Sequence, residues 1–188
     1  MSPSRSYHHG DLRRALIRAA VETIGEVGAA AMSVREVARR AGVSHTAATY
    51  HFGDKAGLLT AVATEGYRLL GDALAAAHEE HRSFLEVGVA YVRFAADHRA
   101  HFEVMFQPAL YHSDDRALQD ARRATAALLY RTADADEDQV VAGVAAWSLV
   151  HGLATLWLNG NLPPLLGDDP QAIARRVAAH LRPRAPRR

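Results

Sequence analysis

The stretch GVSHTAATYHFGDK, residues 42–55, gathers side chains that can do chemistry: His45, His51, Tyr50, Phe52, the hydroxyls of Ser44, Thr46 and Thr49, and the chain's only lysine, Lys55. Three uses compete for such a set: a metal or catalytic site, a piece of aromatic core, or a surface made to touch another molecule. His45 and His51 are six residues apart, about 240° around a helix, so one face cannot bring both to one ion. The nearest carboxylate, Asp54, is better used as a helix cap. A reading surface fits the spacing better. With Ala48 and Phe52 turned inward at i, i+4, the side chains of His45, Thr46, Thr49 and Tyr50 fan across the remaining arc. These short or flat donors and acceptors suit base edges and phosphates. Ala47 is small enough to let the backbone lie deep in a groove, and its methyl suits a thymine methyl. The plainer alternative is an ordinary exposed face of a short helix.

The flanking residues dictate the elements that hold this face. Leu12, Ala15, Leu16, Ala19, Ala20, Ile24 and Val27 recur at helical spacing from Asp11, and Gly28 stops that helix. Ser33-Val34-Arg35-Glu36 fits a capping box, in which hydroxyl and carboxylate satisfy each other's exposed amides. The helix it opens carries Val34, Val37, Ala38 and Ala41 on one face, and Gly42 sits where a left-handed cap belongs. Ser44 caps a third helix running to Phe52, and Asp54 caps a longer fourth. Residues 33–52 thus read helix, glycine-containing turn, helix, the helix-turn-helix pattern. Further on, Ser83 and Glu86 form a second candidate capping box. HFEVMF (101–106) precedes a loop at 109–115, and residues 116–131 are amphipathic. Asp134 and Glu137 open a long apolar helix over 139–160, and Asp169-Pro170 starts a last one.

Composition bounds the rest. About half of the 188 residues are apolar (49%), enough to bury a core, and no cysteine occurs, which excludes disulfides and thiolate metal sites. Alanine-rich helical periodicity predicts an all-α fold. The start has no apolar leader and no run of about eighteen uncharged apolar residues is apparent, so a soluble cytoplasmic protein without a membrane partner is expected. Residues 1–60 hold 8 basic and 5 acidic side chains, 61–168 hold 8 and 15, and 169–188 hold 6 and 1. Acidic helical bodies with a basic end suit contact with a polyanion through that end alone. The final RPRAPRR reads most simply as a solvated tail.

SVREVARRAGVS, HTAATYHF and GDKAGLL together resemble the TetR family of transcriptional repressors, over about residues 10–65. The resemblance implies an N-terminal three-helix helix-turn-helix domain (1–60), a C-terminal helical effector-binding and dimerisation domain (61–182) and a basic tail (183–188), about nine helices in all. It implies phosphate contacts from Ser33 and His51, and an arginine, Arg35, reaching phosphate or base. Base reading is implied for His45, Thr46 and Tyr50, and phosphate binding for Lys55 beside the N-terminus of the fourth helix. Arg5 and Tyr7 fall in the family's flexible arm. The family usually has tyrosine where Thr49 stands, and here tyrosine follows at 50. The C-terminal part resembles a subgroup named for a Trp-His-Gly motif, spread here over Trp147, His151 and Gly152, with YHHGDLRRAL as its opening.

In the family the last two helices pair with those of a second subunit. Gly143, Ala146, Gly152 and Ala154 would permit close approach there, with Val144, Val150, Leu153, Leu156, Ile173 and Val177 supplying buried area. A twofold dimer implies a near-palindromic DNA operator. Tyr91, Phe94, Phe102, Met105, Phe106 and Trp147 can line a cavity for a small-molecule effector, with His98, His101, His112 and His151 as polar anchors; plain core packing is the alternative. His98 and His101, at i, i+3, can share a helical face for a metal, but no third ligand is evident. No cofactor or catalytic set is expected. An enzyme built on the histidine-rich middle lacks a nucleophile–base pair, a phosphate loop or paired carboxylates. An architectural DNA binder would need broader positive charge.

Overall fold

The computed structural model describes residues 9–130 and 137–180. Arg5, Tyr7, Asp134 and the tail at 183–188 lie outside them. Among the described residues the fold is all-α, with nine α-helices and no strand: α1 (His9–Ala31), α2 (Val34–Arg40), α3 (His45–Phe52), α4 (Lys55–His81), α5 (Phe84–Asp97), α6 (Arg99–Met105), α7 (Arg116–Tyr130), α8 (Glu137–Leu158) and α9 (Pro170–His180). Two short 3-10 turns, Pro108–Leu110 and Pro164–Leu166, precede α7 and α9.

The chain forms two compact units that interleave in sequence. Residues up to Gly66 group with Ala100–Gln119, and Tyr67–Arg99 group with the residues from Asp120 onward. The segment 100–119, placed by sequence in the second domain, therefore packs with the helix-turn-helix.

In the first unit the buried set takes Leu16, Ile17, Ala20 and Ile24 from α1, Val37 and Ala38 from α2, Ala48 from α3 and Leu58, Leu59 and Val62 from α4, with α2 packed against both α1 and α3. Gly28 breaks α1 as its sequence position predicts. Its φ of 79° and ψ of 159° kink the chain, and one further turn follows to Ala31. The kink's orphan amide, Ala29 N, donates to Glu103 Oε1 at 2.8 Å. Gly66 lets α6 approach α4, because a Cβ there would lie 2.6 Å from Met105 Sδ.

The second unit is built on α5, which packs against both α8 and α9. Val89, Val92, Leu153, Ile173 and Ala174 form its buried cluster. Gly143 sits against α7, where a Cβ would come within 2.8 Å of Tyr130 Cα. The capping box expected at Ser83 does not form: the Ser83 side chain makes no cap bond. Glu86 instead takes a two-pronged bond from Arg175 of α9, at 3.1 and 2.8 Å. That guanidinium holds the Glu86 carboxyl below the usual carboxylate range.

α8 corrects one sequence expectation. The most apolar eighteen-residue window of this 22-residue helix has a mean hydropathy of 1.6, long and apolar enough by composition alone to cross a membrane, a test that the core helix of a soluble protein also passes. Ser148, His151 and Thr155 interrupt its apolar run. Leu153 and Ala154 are buried in the unit's core, while Val141, Val144 and Leu156 are 60%, 42% and 44% exposed. The helix is apolar on two faces, and only one of them is covered by its own unit.

Candidate nucleic-acid interface

The turn of the helix-turn-helix is built by backbone chemistry. At the end of α2, Val43 N donates to Ala38 O (3.0 Å) and Gly42 N to Arg39 O (3.2 Å), the paired bonds of a Schellman motif. That motif needs a left-handed residue, and Gly42 has φ 69°. Ser44 then accepts from Ala47 N at 3.1 Å, capping α3. At the far end Gly53, with φ 76°, closes α3, and Asp54 Oδ1 accepts from Gly57 N at 2.7 Å to start α4. This backbone bond chiefly holds the Asp54 carboxyl below its ordinary pKa. Both ends of α3 are thereby fixed within a residue or two.

Ser33 makes half of its expected capping box. Its hydroxyl accepts from Glu36 N at 3.2 Å. Glu36 does not reach back to the Ser33 amide; it accepts from Arg39 (2.8 and 2.7 Å) and Arg40 (3.1 Å). Those two guanidiniums push its carboxyl down to about 2. Arg40 also grips Glu26 of α1, tying α2 to α1.

Ala48 is completely buried, and this anchors the reading helix. Ser44, His45, Thr46, Thr49 and Tyr50 are exposed, Ala47 and His51 half-buried. Tyr50 stands out at 84% exposure, a large side chain projecting from α3 with nothing in its own unit to cover it. The Thr49 hydroxyl donates to the His45 carbonyl (3.0 Å), so its methyl is what α3 presents beside Tyr50. Ser33 and Arg35 are exposed on α2. Among the described residues Arg35 has no carboxylate partner, whereas its neighbours Arg39 and Arg40 are committed to Glu36 and Glu26. Lys55 begins α4 as expected, but its ammonium donates to the Ala30 carbonyl (2.6 Å). A phosphate contact requires it to leave or share that bond. The structure also brings to α3 a residue absent from the expected set: the Arg13 guanidinium lies over the Phe52 ring at 5.5 Å. No sequence periodicity links positions 13 and 52.

Two family models match the chain: "Tetracyclin repressor-like, C-terminal domain" over residues 84–181 and "Bacterial regulatory proteins, tetR family" over residues 16–62. The chain belongs to the TetR family. The chain is similar to the HTH-type transcriptional regulator BetI 1 of Chromohalobacter salexigens, 44% identical over 63 residues, covering 34% of this chain and 31% of the relative. The match thus spans about a third of the length of that curated relative. Over nearly the whole chain it is similar to a solved Rhodococcus sp. RHA1 protein of unknown function (32% identity, TM-score 0.76, 94% of this chain and 96% of that one). A tetR-family bacterial regulatory protein from Rhodococcus RHA1 is similar at 25% identity and TM-score 0.69, covering 90% and 94%. BetI 1 is a transcriptional regulator and the tetR-family Rhodococcus RHA1 protein a regulatory protein by description, and the matching family is one of bacterial regulatory proteins.

The residues expected to form an effector pocket do not converge as one set. Tyr91 is buried, and its Oη lies 2.8 Å from His151 Nδ1, with the Trp147 ring 5.4 Å from the His151 ring. Burial pushes the Tyr91 phenol up and the His151 imidazole down, so both are neutral near pH 7. Phe94 and His98 form a separate stack at 4.9 Å. Phe102, Met105 and Phe106 belong to the first unit, where Phe102 and Met105 are buried core. A cleft of about 680 Å³ in the second unit is lined by Leu74, His78, Phe84, Tyr130 and Gln139 among others, and by none of the expected eight. A smaller apolar cleft of about 370 Å³ takes Trp147 alone of that set.

The metal reading of His98 and His101 fails on the backbone. His98 sits at the break between α5 and α6 (φ −123°, ψ 44°), so the two do not share one helical face. His101 Nε2 is 3.0 Å from Glu65 Oε1, and His112 pairs with Asp54 at 3.4 Å. Among the described residues no three metal-ligating side chains converge.

The expected dimer face is also revised. Leu153 and Ile173 are 7% and 1% exposed in their own unit's core and have no surface left to offer. Ala154 is fully buried, and Gly143 serves contact with Tyr130. Val150 and Val177 border the same core. Val144, Leu156 and Gly152 remain outward, joined by Val141. The Ser148 and Thr155 hydroxyls donate back to the Val144 and His151 carbonyls, at 2.8 and 2.9 Å. They thereby present carbon to the exposed face.

Proposed function

We propose that this TetR-family chain is a dimeric cytoplasmic repressor that binds a palindromic DNA operator and is released by a small-molecule effector. The observation that carries the reading is the reading helix itself: α3 is pinned by buried Ala48 and capped at both ends, yet presents His45, Thr46 and an 84%-exposed Tyr50 outward. In this reading those three residues and Arg35 read bases. Ser33, Ser44 and His51 hold phosphates, Thr49 and Lys55 join them by releasing their bonds to the His45 and Ala30 carbonyls, and Ala47 allows close approach. DNA binding falls to the helix-turn-helix within residues 1–60, and effector binding and dimerisation fall to the part of residues 61–182 that builds the second unit. Trp147, His151 and Gly152 support the reading that the chain is of the Trp-His-Gly subgroup.

The second subunit is the occupant that suits the exposed face of α8. Val141, Val144, Gly152 and Leu156 give an apolar strip with a flat spot, and an exposed strip of this size is costly unless covered. Tyr91, Trp147 and His151 anchor the effector. Its binding favours a state with the two reading helices at the wrong spacing, by no more than its difference in affinity for the two states.

Retention of genomic duplex fragments by the full chain, at fixed salt, tests the reading. Selective retention of a palindromic fragment supports it. Equal retention of every fragment favours an architectural binder, and no retention at low salt removes both.

A further inference from the structure

We propose that Arg13 of α1 is a DNA-contacting residue, supplying a phosphate-directed cation at the C-terminal end of the reading helix. This inference rests on the DNA-binding reading above. Arg13 is exposed, and its guanidinium lies 5.5 Å from the centre of the Phe52 ring. Phe52 is the last residue of α3. This cation–π contact links α1 to the end of the reading helix and holds a charge there. The contact is continuous with the exposed face: Tyr50 lies edge-on to His51 at 5.7 Å, and His51 lies against Phe52 at 6.3 Å.

The end of α3 needs such a charge. Eight residues make a helix about 12 Å long, and the major groove is about 12 Å wide. A helix of that length seated in the groove brings both ends near a sugar–phosphate strand. Its N-terminal end offers amide donors and the positive end of the helix dipole to phosphate. Its C-terminal end offers carbonyls and the negative end, which repel phosphate unless a cation intervenes. The only basic residue in the last turn of α3 is His51. Arginine carries its charge at any working pH and keeps its N–H donors available while its face stacks on a ring. Of the other cations on α2 and α4, Arg39 and Arg40 are paired with Glu36 and Glu26, Lys55 donates to the Ala30 carbonyl, and Arg35 is assigned to base reading. Among the described residues Arg13 has no carboxylate partner.

The test measures dissociation constants of the full-length chain across a salt series, by fluorescence anisotropy. The probes are a duplex selected by the wild-type chain from random-sequence DNA and an unselected duplex. Arg13→Gln keeps length and drops the charge, and Arg13→Lys keeps the charge and drops the planar stack. Arg13→Gln is expected to weaken both duplexes by a similar factor and to lower the log–log salt slope by about 0.9 per protomer. Arg13→Lys is expected to keep the wild-type slope with part of the lost affinity. The proposal is overturned if Arg13→Gln, with an unchanged thermal unfolding midpoint, keeps the wild-type slope. Loss of slope in Arg13→Lys overturns it too, because a charge at that position would then not be what counts. Should the wild-type chain bind neither duplex, the DNA-binding reading itself falls, a result distinct from either of these.

Discussion

Replacing Gly152 by alanine separates what α8 needs alone from what it needs in a dimer. Gly152 lies mid-helix, and a Cβ built there meets nothing within 4 Å of its own subunit. For the subunit alone the methyl is pure gain, about 0.8–1.0 kcal/mol of helix propensity. If a second α8 crosses at this point, each protomer instead drives a methyl into a close-packed contact, at about 1–3 kcal/mol per insertion. A twofold interface doubles the residue, so dimerisation loses about 2–6 kcal/mol, at least about thirtyfold in dissociation constant. Sedimentation equilibrium gives that constant, and urea unfolding at low protein concentration gives the subunit's own stability. The account expects a weaker dimer of more stable subunits. A variant that is more stable and as dimeric as the wild type refutes a close-packed contact at Gly152.

Other outcomes follow from individual bonds. Ser44→Ala should cost about 1 kcal/mol in urea unfolding by uncapping α3, whereas Ser83→Ala, whose hydroxyl makes no cap bond, should stay within about 0.5 kcal/mol. Tyr91→Phe removes the 2.8 Å contact with His151 Nδ1 and should destabilise by about 1 kcal/mol at pH 7. Glu36 titrates at about 2 in the fold against an ordinary 4.5, so its contribution is complete above pH 4.5 and fades as pH falls toward 2. Glu36→Gln should therefore unfold along a shallower acid limb over that window, while a limb unchanged from wild type would contradict the Arg39 and Arg40 pairing.

The helix-turn-helix was legible because its determinants are local. Ser44, Gly42, Gly53 and Asp54 act within four residues of the backbone groups they serve, so their spacing alone places α3. Where a distant partner competes, spacing misleads. Ser83 and Glu86 have the same pattern as a capping box, but Arg175, 89 residues away in sequence, takes the carboxylate. Leu153 and Ile173 are misplaced in the dimer set for a related reason. Leu153, Leu156, Ile173 and Val177 are equally apolar, and hydrophobicity does not say whether the covering surface is the chain's own α5 or another subunit. Only burial distinguishes Ile173 at 1% from Leu156 at 44%. The eight pocket residues share aromatic character, yet Phe102, Met105 and Phe106 pack into a different unit from Tyr91, Trp147 and His151. Gly28 is a stop in geometry, and a last turn resumes beyond it with Glu103 accepting from the Ala29 amide.

The central claim, that α3 reads DNA as one half of a twofold pair, is tested most directly by selecting duplexes from a random-sequence pool with the full chain and sequencing what is retained. The account predicts a two-fold symmetric motif whose half-sites are separated by about one helical turn or somewhat more. It also predicts that Tyr50→Ala relaxes the preference at particular positions within each half-site. A retained pool without a symmetric motif, or a motif unchanged in Tyr50→Ala, would contradict it.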